Sequence, residues 1–335
     1  MSPRAVVSSA FGARNDNKDL AELVRDRLGV WHIFYLSSGR AALTIVLRAL
    51  QRLSDRREVI IPAYTCFSVP SAVVRGGLAI RLCDVDPKTL DLDRNALMRL
   101  DLNKALCIVP SGLYGMPSDL TALEEIARAS GSFVIDDAAQ CLGATLAGRA
   151  CGTFGDAGFF SLGRGKNITA MGGGILSTRR SDIAQLIEAE VGQLPPASVR
   201  DVSFSLLGSL AYAGMLGPSC YWLLDRIPFL GLGVSRFDPD FAITQLSPYQ
   251  GRLAAQVFSL VDSYNRIRRE NAHQLQVGIE GIEGIEVPRP VAGADPVFLR
   301  FPILARDEVH RTQLVNRLRA AGIGASTSYP SAVSD

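Results

Sequence analysis

The sequence predicts an α/β protein: a mostly parallel sheet sandwiched by helices, with a smaller α/β domain at its C-terminal end. Two observations carry this. Apolar runs of four to seven residues alternate with helical stretches along most of the chain, the pattern of strands buried on both faces by crossover helices. The 335 residues, 47% hydrophobic and 20% charged, are also enough to bury a large core and a second, smaller one.

Taken in order, "VWHIFYLSSG" is the first strand, aromatic and β-branched and ending in small residues. "GRAALTIVLRALQRL" follows as a helix. It sets Ala42, Leu43, Val46, Leu47 and Leu50 along one face and opens on Ser37-Ser38-Gly39. "EVIIPAY", "AIRLCDVD", "ALCIVPSG", "SFVIDDAAQ", "AGFFSL" and "GGILSTR" continue the strands, with a helix at "LTALEEIARASG". Residues 202–224 carry no charge and have the length of a membrane span, but Gly208, Gly214, Gly217 and Pro218 interrupt them. An apolar insertion at about 200–235, packed as a helical hairpin or dimer contact, is the expectation, and membrane contact is the second reading. "SPYQGRLAAQVFSLVDSYNRIRRENAHQL" predicts one long amphipathic helix with Leu253, Val257, Leu260 and Tyr264 on a face. The expected division is a large domain over 1–245 and a small one over 246–335. The small one holds a strand at "VFLRFPILA" and a helix from about Arg306 to Gly322.

The 35 basic and 33 acidic residues are interspersed and leave a net charge of +2, so no basic face points to nucleic acid. Cys66, Cys83, Cys107, Cys141, Cys151 and Cys220 form no C-x-x-C pair, and His32, His273 and His310 lie far apart. Neither a metal site nor a disulfide framework is expected, and a reducing cytoplasm fits best. The N-terminal "AVVSSAFGA" is diluted by serine relative to a signal peptide and is read as a mature N-terminus.

Ligands of such sheets sit beyond the C-terminal ends of the strands. Three turns there are chemically marked. Ser38-Gly39-Arg40 opens a helix, whose free N–H groups favour a phosphate, although Ser and Gly at that place are also ordinary capping. Asp136-Asp137-Ala138-Ala139-Gln140 puts two carboxylates before tiny residues. Ser161 is followed by Lys166 and then by Gly172-Gly173-Gly174. A P-loop is excluded, since its spacing needs glycine at 160 and Ser or Thr at 167, where the chain has Phe160 and Asn167. A solvated surface lysine is the bland alternative. A phosphate cradle, a carboxylate and a lysine together suggest pyridoxal phosphate chemistry, in which lysine makes a covalent adduct and moves protons.

The ordered segments "SSGRAAL", "IIPAYTCFSVPSAV", "CDVDPKTLDLD", "LYGMPSDL", "VIDDAAQCLGAT", "GDAGFFSLGRGKNIT", "GGGILST" and "GIGASTSYP" resemble the DegT/DnrJ/EryC1/StrS sugar aminotransferases. The match is weakest at roughly 190–245. The resemblance implies a fold type I pyridoxal 5'-phosphate transferase, a homodimer, that moves an amino group, expected from glutamate, to a keto group of a nucleotide-linked sugar. It implies Lys166 as the Schiff-base lysine, Asp137 facing the pyridine nitrogen, Gln140 on the phenolic oxygen, and Ser161 with the turn at Ser38, Gly39 and Arg40 on the phosphate. Asp136, Glu in most relatives, is left structural. Four places depart from the pattern: Arg40 stands for Thr, Cys66 for the ring-stacking aromatic, Gly112 for His, and Met171-Gly172 for Gly-Glu. Tyr64 and Phe67 are the alternative stacking residues. Retention of Lys166 argues against the dehydratase branch of the family; a catalytically silent regulatory or scaffold homologue is the other alternative.

Overall fold

The computed structural model describes residues 3–11, 16–215, 236–329 and 331–333. Helices α1 (Pro3–Phe11) and α2 (Asp16–Leu28) precede β1 (His32–Leu36). At Ser38 the chain turns into α3 (Gly39–Leu50) because the serine hydroxyl caps it, accepting from Ala41 N at 3.2 Å. Then come β2 (Glu58–Pro62), α4 (Ser68–Arg75), β3 (Ala79–Cys83), α5 (Arg94–Met98), β4 (Ala105–Ile108), α6 (Leu120–Ser130) and β5 (Phe133–Asp137). A hairpin of β6 (Thr145–Leu146) and β7 (Arg149–Ala150) leads to β8 (Ala157–Ser161) and β9 (Gly174–Thr178), followed by α7 (Ser181–Gly192) and α8 (Val199–Met215). The remaining elements are α9 (Pro248–Phe258), α10 (Val261–Ile279), β10 (Ile285–Glu286), β11 (Ala294–Asp295), β12 (Leu304–Ala305) and α11 (Glu308–Ala320).

Seven strands form one sheet in the order β1-β9-β8-β5-β4-β2-β3. Of these β9 alone runs against the others, pairing antiparallel with both β1 and β8. Both faces are buried, and the side chains alternate between them as the pleat requires. Val59, Ile61, Ile135, Phe159 and Leu176 point to the core under α3, α4 and α7, whereas Ile60, Val134, Phe160 and Ile175 point to the opposite cores. Helix α3 has apolar or small residues on nearly every side because it is buried along almost its whole length.

Two sequence expectations are corrected. The long helix divides at Ser259-Leu260: Leu253, Val257 and Phe258 are buried with α9, and Val261 restarts the buried face at α10. Asp262 in the first turn of α10 pairs with Arg27, an acid where a helix N-terminus favours one. The apolar run at "VFLRFPILA" is strand only at β12, because residues 297–300 are clasped to a distant turn instead. In the uncharged stretch, α8 packs Val202 and Leu206 inward and exposes Phe204 and Leu207; residues 216–224 lie outside the described residues. Among the described residues no helix is long and apolar enough to cross a membrane.

Candidate active site

The C-terminal ends of β1, β2, β4, β5 and β8 open on one edge of the sheet and present Ser38, Cys66, Ser111, Asp137 and Ser161. Strand alternation sends the two adjacent acids apart. Asp136 Oδ2 accepts from the amides of Gly152 at 2.5 Å and Phe154 at 3.4 Å, tying down the turn before β8. Burial pushes its carboxyl up to about 7 against the pull of those amides. Asp137 faces the strand ends: it accepts from Ser111 Oγ at 3.2 Å and from Ala139 N at 3.1 Å. Thr65 Oγ1 lies 2.9 Å behind the Ser111 hydroxyl. Burial raises the Asp137 carboxyl, while Lys166, the Ala139 amide and the serine hydroxyl favour its charged form.

Lys166 rides on a loop between β8 and β9 that is folded back on itself, with Ala170 N donating to Leu162 O at 2.9 Å and Leu162 N to Gly173 O at 2.9 Å. Arg268 Nη2 holds Asn167 O at 2.9 Å from outside. Burial lowers the ammonium of Lys166 below the usual lysine range and Arg300 acts in the same direction, against Cys66 and Asp137. A buried amine of this kind is a stronger candidate nucleophile and base than a solvated one.

The helix start and Ser161 meet closely: a Cβ on Gly39 would lie 3.0 Å from Ser161 Cβ. The N-terminus of α3 therefore opens beside a serine hydroxyl that accepts from Gly163 N at 3.3 Å, a cradle suited to a phosphate. Arg40 directs its guanidinium elsewhere, to Asp238 Oδ2 at 3.0 Å and over the Phe241 ring at 4.2 Å, so only its backbone faces the cradle. Gln140 accepts from Tyr114 N at 3.2 Å and donates to Tyr329 Oη at 3.1 Å. Tyr64 bonds the Tyr114 hydroxyl at 2.9 Å and meets the Tyr329 ring edge-on at 5.2 Å. Phe67 stands at the start of α4. The sequence reading missed Ser111 and Thr65, which the strand-end rule would have found, and Tyr114 and Arg300, which no local signal marks.

Gly112, where the family resemblance leads to an expectation of histidine, is explained by its neighbour. A Cβ there would sit 2.4 Å from Cys141 Sγ, although its φ of −71° suits any residue. Gly112→Ala is therefore expected to destabilise the protein by about 1–3 kcal/mol through overpacking, and Cys141→Ala in the same chain to restore much of the loss. Denaturant unfolding of the two single variants and the double variant checks the pair.

The sheet order, its reversed strand and the lysine loop between β8 and β9 define a fold type I α/β protein. The sequence pattern of the DegT/DnrJ/EryC1/StrS aminotransferase family matches residues 5–197, more than half of the chain, and the chain belongs to that family. It is a family of pyridoxal phosphate-dependent aminotransferases. GDP-perosamine synthase of Caulobacter vibrioides is 34% identical over 168 residues, 50% of this chain and 45% of that protein. The UDP-N-acetyl-3-dehydro-alpha-D-glucosamine 3-aminotransferase of Acidithiobacillus ferrooxidans is 27% identical over 325 residues, 96% of this chain and 76% of that protein. A sugar aminotransferase from Micromonospora echinospora has the same fold, with a TM-score of 0.75 at 24% identity, covering 97% of this chain and 82% of that one.

Proposed function

We propose that this protein transfers an amino group from an amino acid, glutamate in the first instance, to a keto group of a nucleotide-linked sugar. The observation that carries the reading is the placement of Lys166 and Asp137 beyond the same strand ends, each partly or wholly withdrawn from water. The residues fit pyridoxal phosphate. Ser161 and the amides at Gly39 and Arg40 would hold its phosphate, Asp137 its pyridine nitrogen, and Lys166 its carbonyl carbon. When bound, the cofactor supplies the electron sink that such a transfer needs.

The chain's own groups do the rest. Ser111 and the Ala139 amide orient the Asp137 carboxylate and keep its charge. The Nζ of Lys166, its protonation disfavoured by burial, takes a proton from the α-carbon of the donor and later returns one to the sugar carbon. Both relatives described above are named for nucleotide-linked sugars, which supports the same acceptor class here. Borohydride treatment of the coloured protein followed by peptide mapping is expected to place the cofactor on Lys166. Recovery on another lysine, with Lys166 unmodified, would sink the reading.

A further inference from the structure

Residues 297–300 are bonded to the turn at Tyr114-Gly115. Val297 N donates to Gly115 O at 2.9 Å and Arg300 N to Tyr114 O at 3.4 Å. Tyr114 has φ 59° and Phe298 φ 44°, left-handed conformations that an aromatic residue keeps only when its surroundings impose them. The approach needs the glycine: a Cβ on Gly115 would lie 2.7 Å from Leu299 N and 2.9 Å from Val297 Cγ2. Strained backbone of this kind gathers where a side chain must be aimed. The side chain at the end of the clasp is Arg300.

Its Nη2 lies 3.3 Å from the place a Cβ on Gly165 would take, beside Lys166. Gly165 has φ +73° and leaves that space open. Arg27, Arg40, Arg149, Arg180 and Arg269 are each paired with a carboxylate. Among the described residues Arg300 is in no ion pair, and its guanidinium makes no hydrogen bond. The guanidinium opposes the charged form of the neighbouring Lys166, and an anion received beside it would relieve that repulsion.

We propose that Arg300 receives an anionic group of the substrate, a carboxylate or a phosphate, at the lysine end of the site. The inference rests on the aminotransferase reading above, which supplies both anions: the carboxylate of the amino donor and the phosphates of the nucleotide sugar. A planar guanidinium binds either through two parallel hydrogen bonds.

Calorimetric titration of the holoenzyme with two non-reacting probes, UDP and maleate, tests this without turnover. Arg300→Gln is expected to weaken at least one of them by about ten-fold or more. Arg300→Lys should lose less, because it keeps the charge and not the fork. Loss of maleate alone assigns the donor carboxylate, loss of UDP alone the nucleotide phosphate, and loss of both a shared site. Arg164→Gln removes the same charge two residues from Lys166 and is expected to leave both probes within about two-fold. Equal binding by wild type and Arg300→Gln overturns the assignment alone, and so does equal weakening by Arg164→Gln. Failure of the wild type to bind either probe overturns the assignment and the proposed function together.

Discussion

Lys166→Ala is expected to abolish amino-group transfer while leaving the sheet folded. The side chain stands at the tip of the loop between β8 and β9, which is closed by backbone bonds from Leu162 to Ala170 and Gly173, so the truncation removes no support. Loss of the proton-transferring amine alone should slow the reaction by about 10²–10⁴-fold, and loss of the covalent attachment point adds to that. Stability should move the other way. Burial makes the amine bind its proton less tightly in the folded chain than in the unfolded one. Stability therefore rises with pH from the depressed value up to the ordinary lysine range, and the alanine variant lacks this dependence. Single-turnover rates together with thermal melts check both halves; transfer persisting within about ten-fold of wild type would remove Lys166 from the chemistry.

Asp137→Asn and Asp136→Asn are expected to separate catalysis from stability although the residues are adjacent. At 137 the substitution keeps shape and removes a charge from a dry site, and should cost about 2 kcal/mol or more of transition-state stabilisation with the fold retained. At 136 the effect should fall on the pH profile. The folded carboxyl, pushed up to about 7 from 3.8, binds its proton more tightly than the unfolded one. Its contribution to stability is therefore complete below pH about 4 and is lost as pH rises through about 7. Asp136→Asn, always neutral, should flatten the stability profile across that window and leave transfer within about an order of magnitude. Equal loss of transfer from both variants, or loss only from Asp136→Asn, would reverse the roles.

The central sheet was legible because its strands are short apolar runs; the separation of Asp137 from Asp136 came from the family resemblance, and in the structure strand alternation sends the two carboxylates to different partners. The start of α3 was legible too, since a serine that caps a helix marks itself locally. The region after residue 245 was not. The run at "VFLRFPILA" has the composition of a strand, yet Phe298 adopts a left-handed φ because the Tyr114 turn, remote in sequence, offers the hydrogen bonds; tertiary contacts overrode local preference. The break between α9 and α10 was hidden for a related reason. Ser259-Leu260 is an ordinary helical pair, and only the packing of Val257, Phe258 and Val261 shows where the face is restarted. Arg300 has no local pattern that distinguishes it from other arginines, whereas Ser111 follows the end of β4 and was open to the strand-end rule.

The reversed strand β9 also governs when the site can come into being during synthesis. In the sheet β1 pairs along its length with β9, and its other bridge among the described residues, Leu36 to Gln245, lies later still, so the first strand has no described partner until residue 178 has left the ribosome. The turn after β1 waits longer still, since Ser37 N donates to Thr244 O at 2.9 Å and Ser37 Oγ accepts from Thr244 N, 207 residues away. Pairings of such sequence separation close slowly, because the loop entropy must be overcome before the contacts form. The β2-β3-β4-β5 half of the sheet, made of neighbours in sequence, can assemble first and serve as the template. The turn proposed to hold the phosphate, formed by some of the earliest residues to emerge, is then among the last parts of the molecule to take shape.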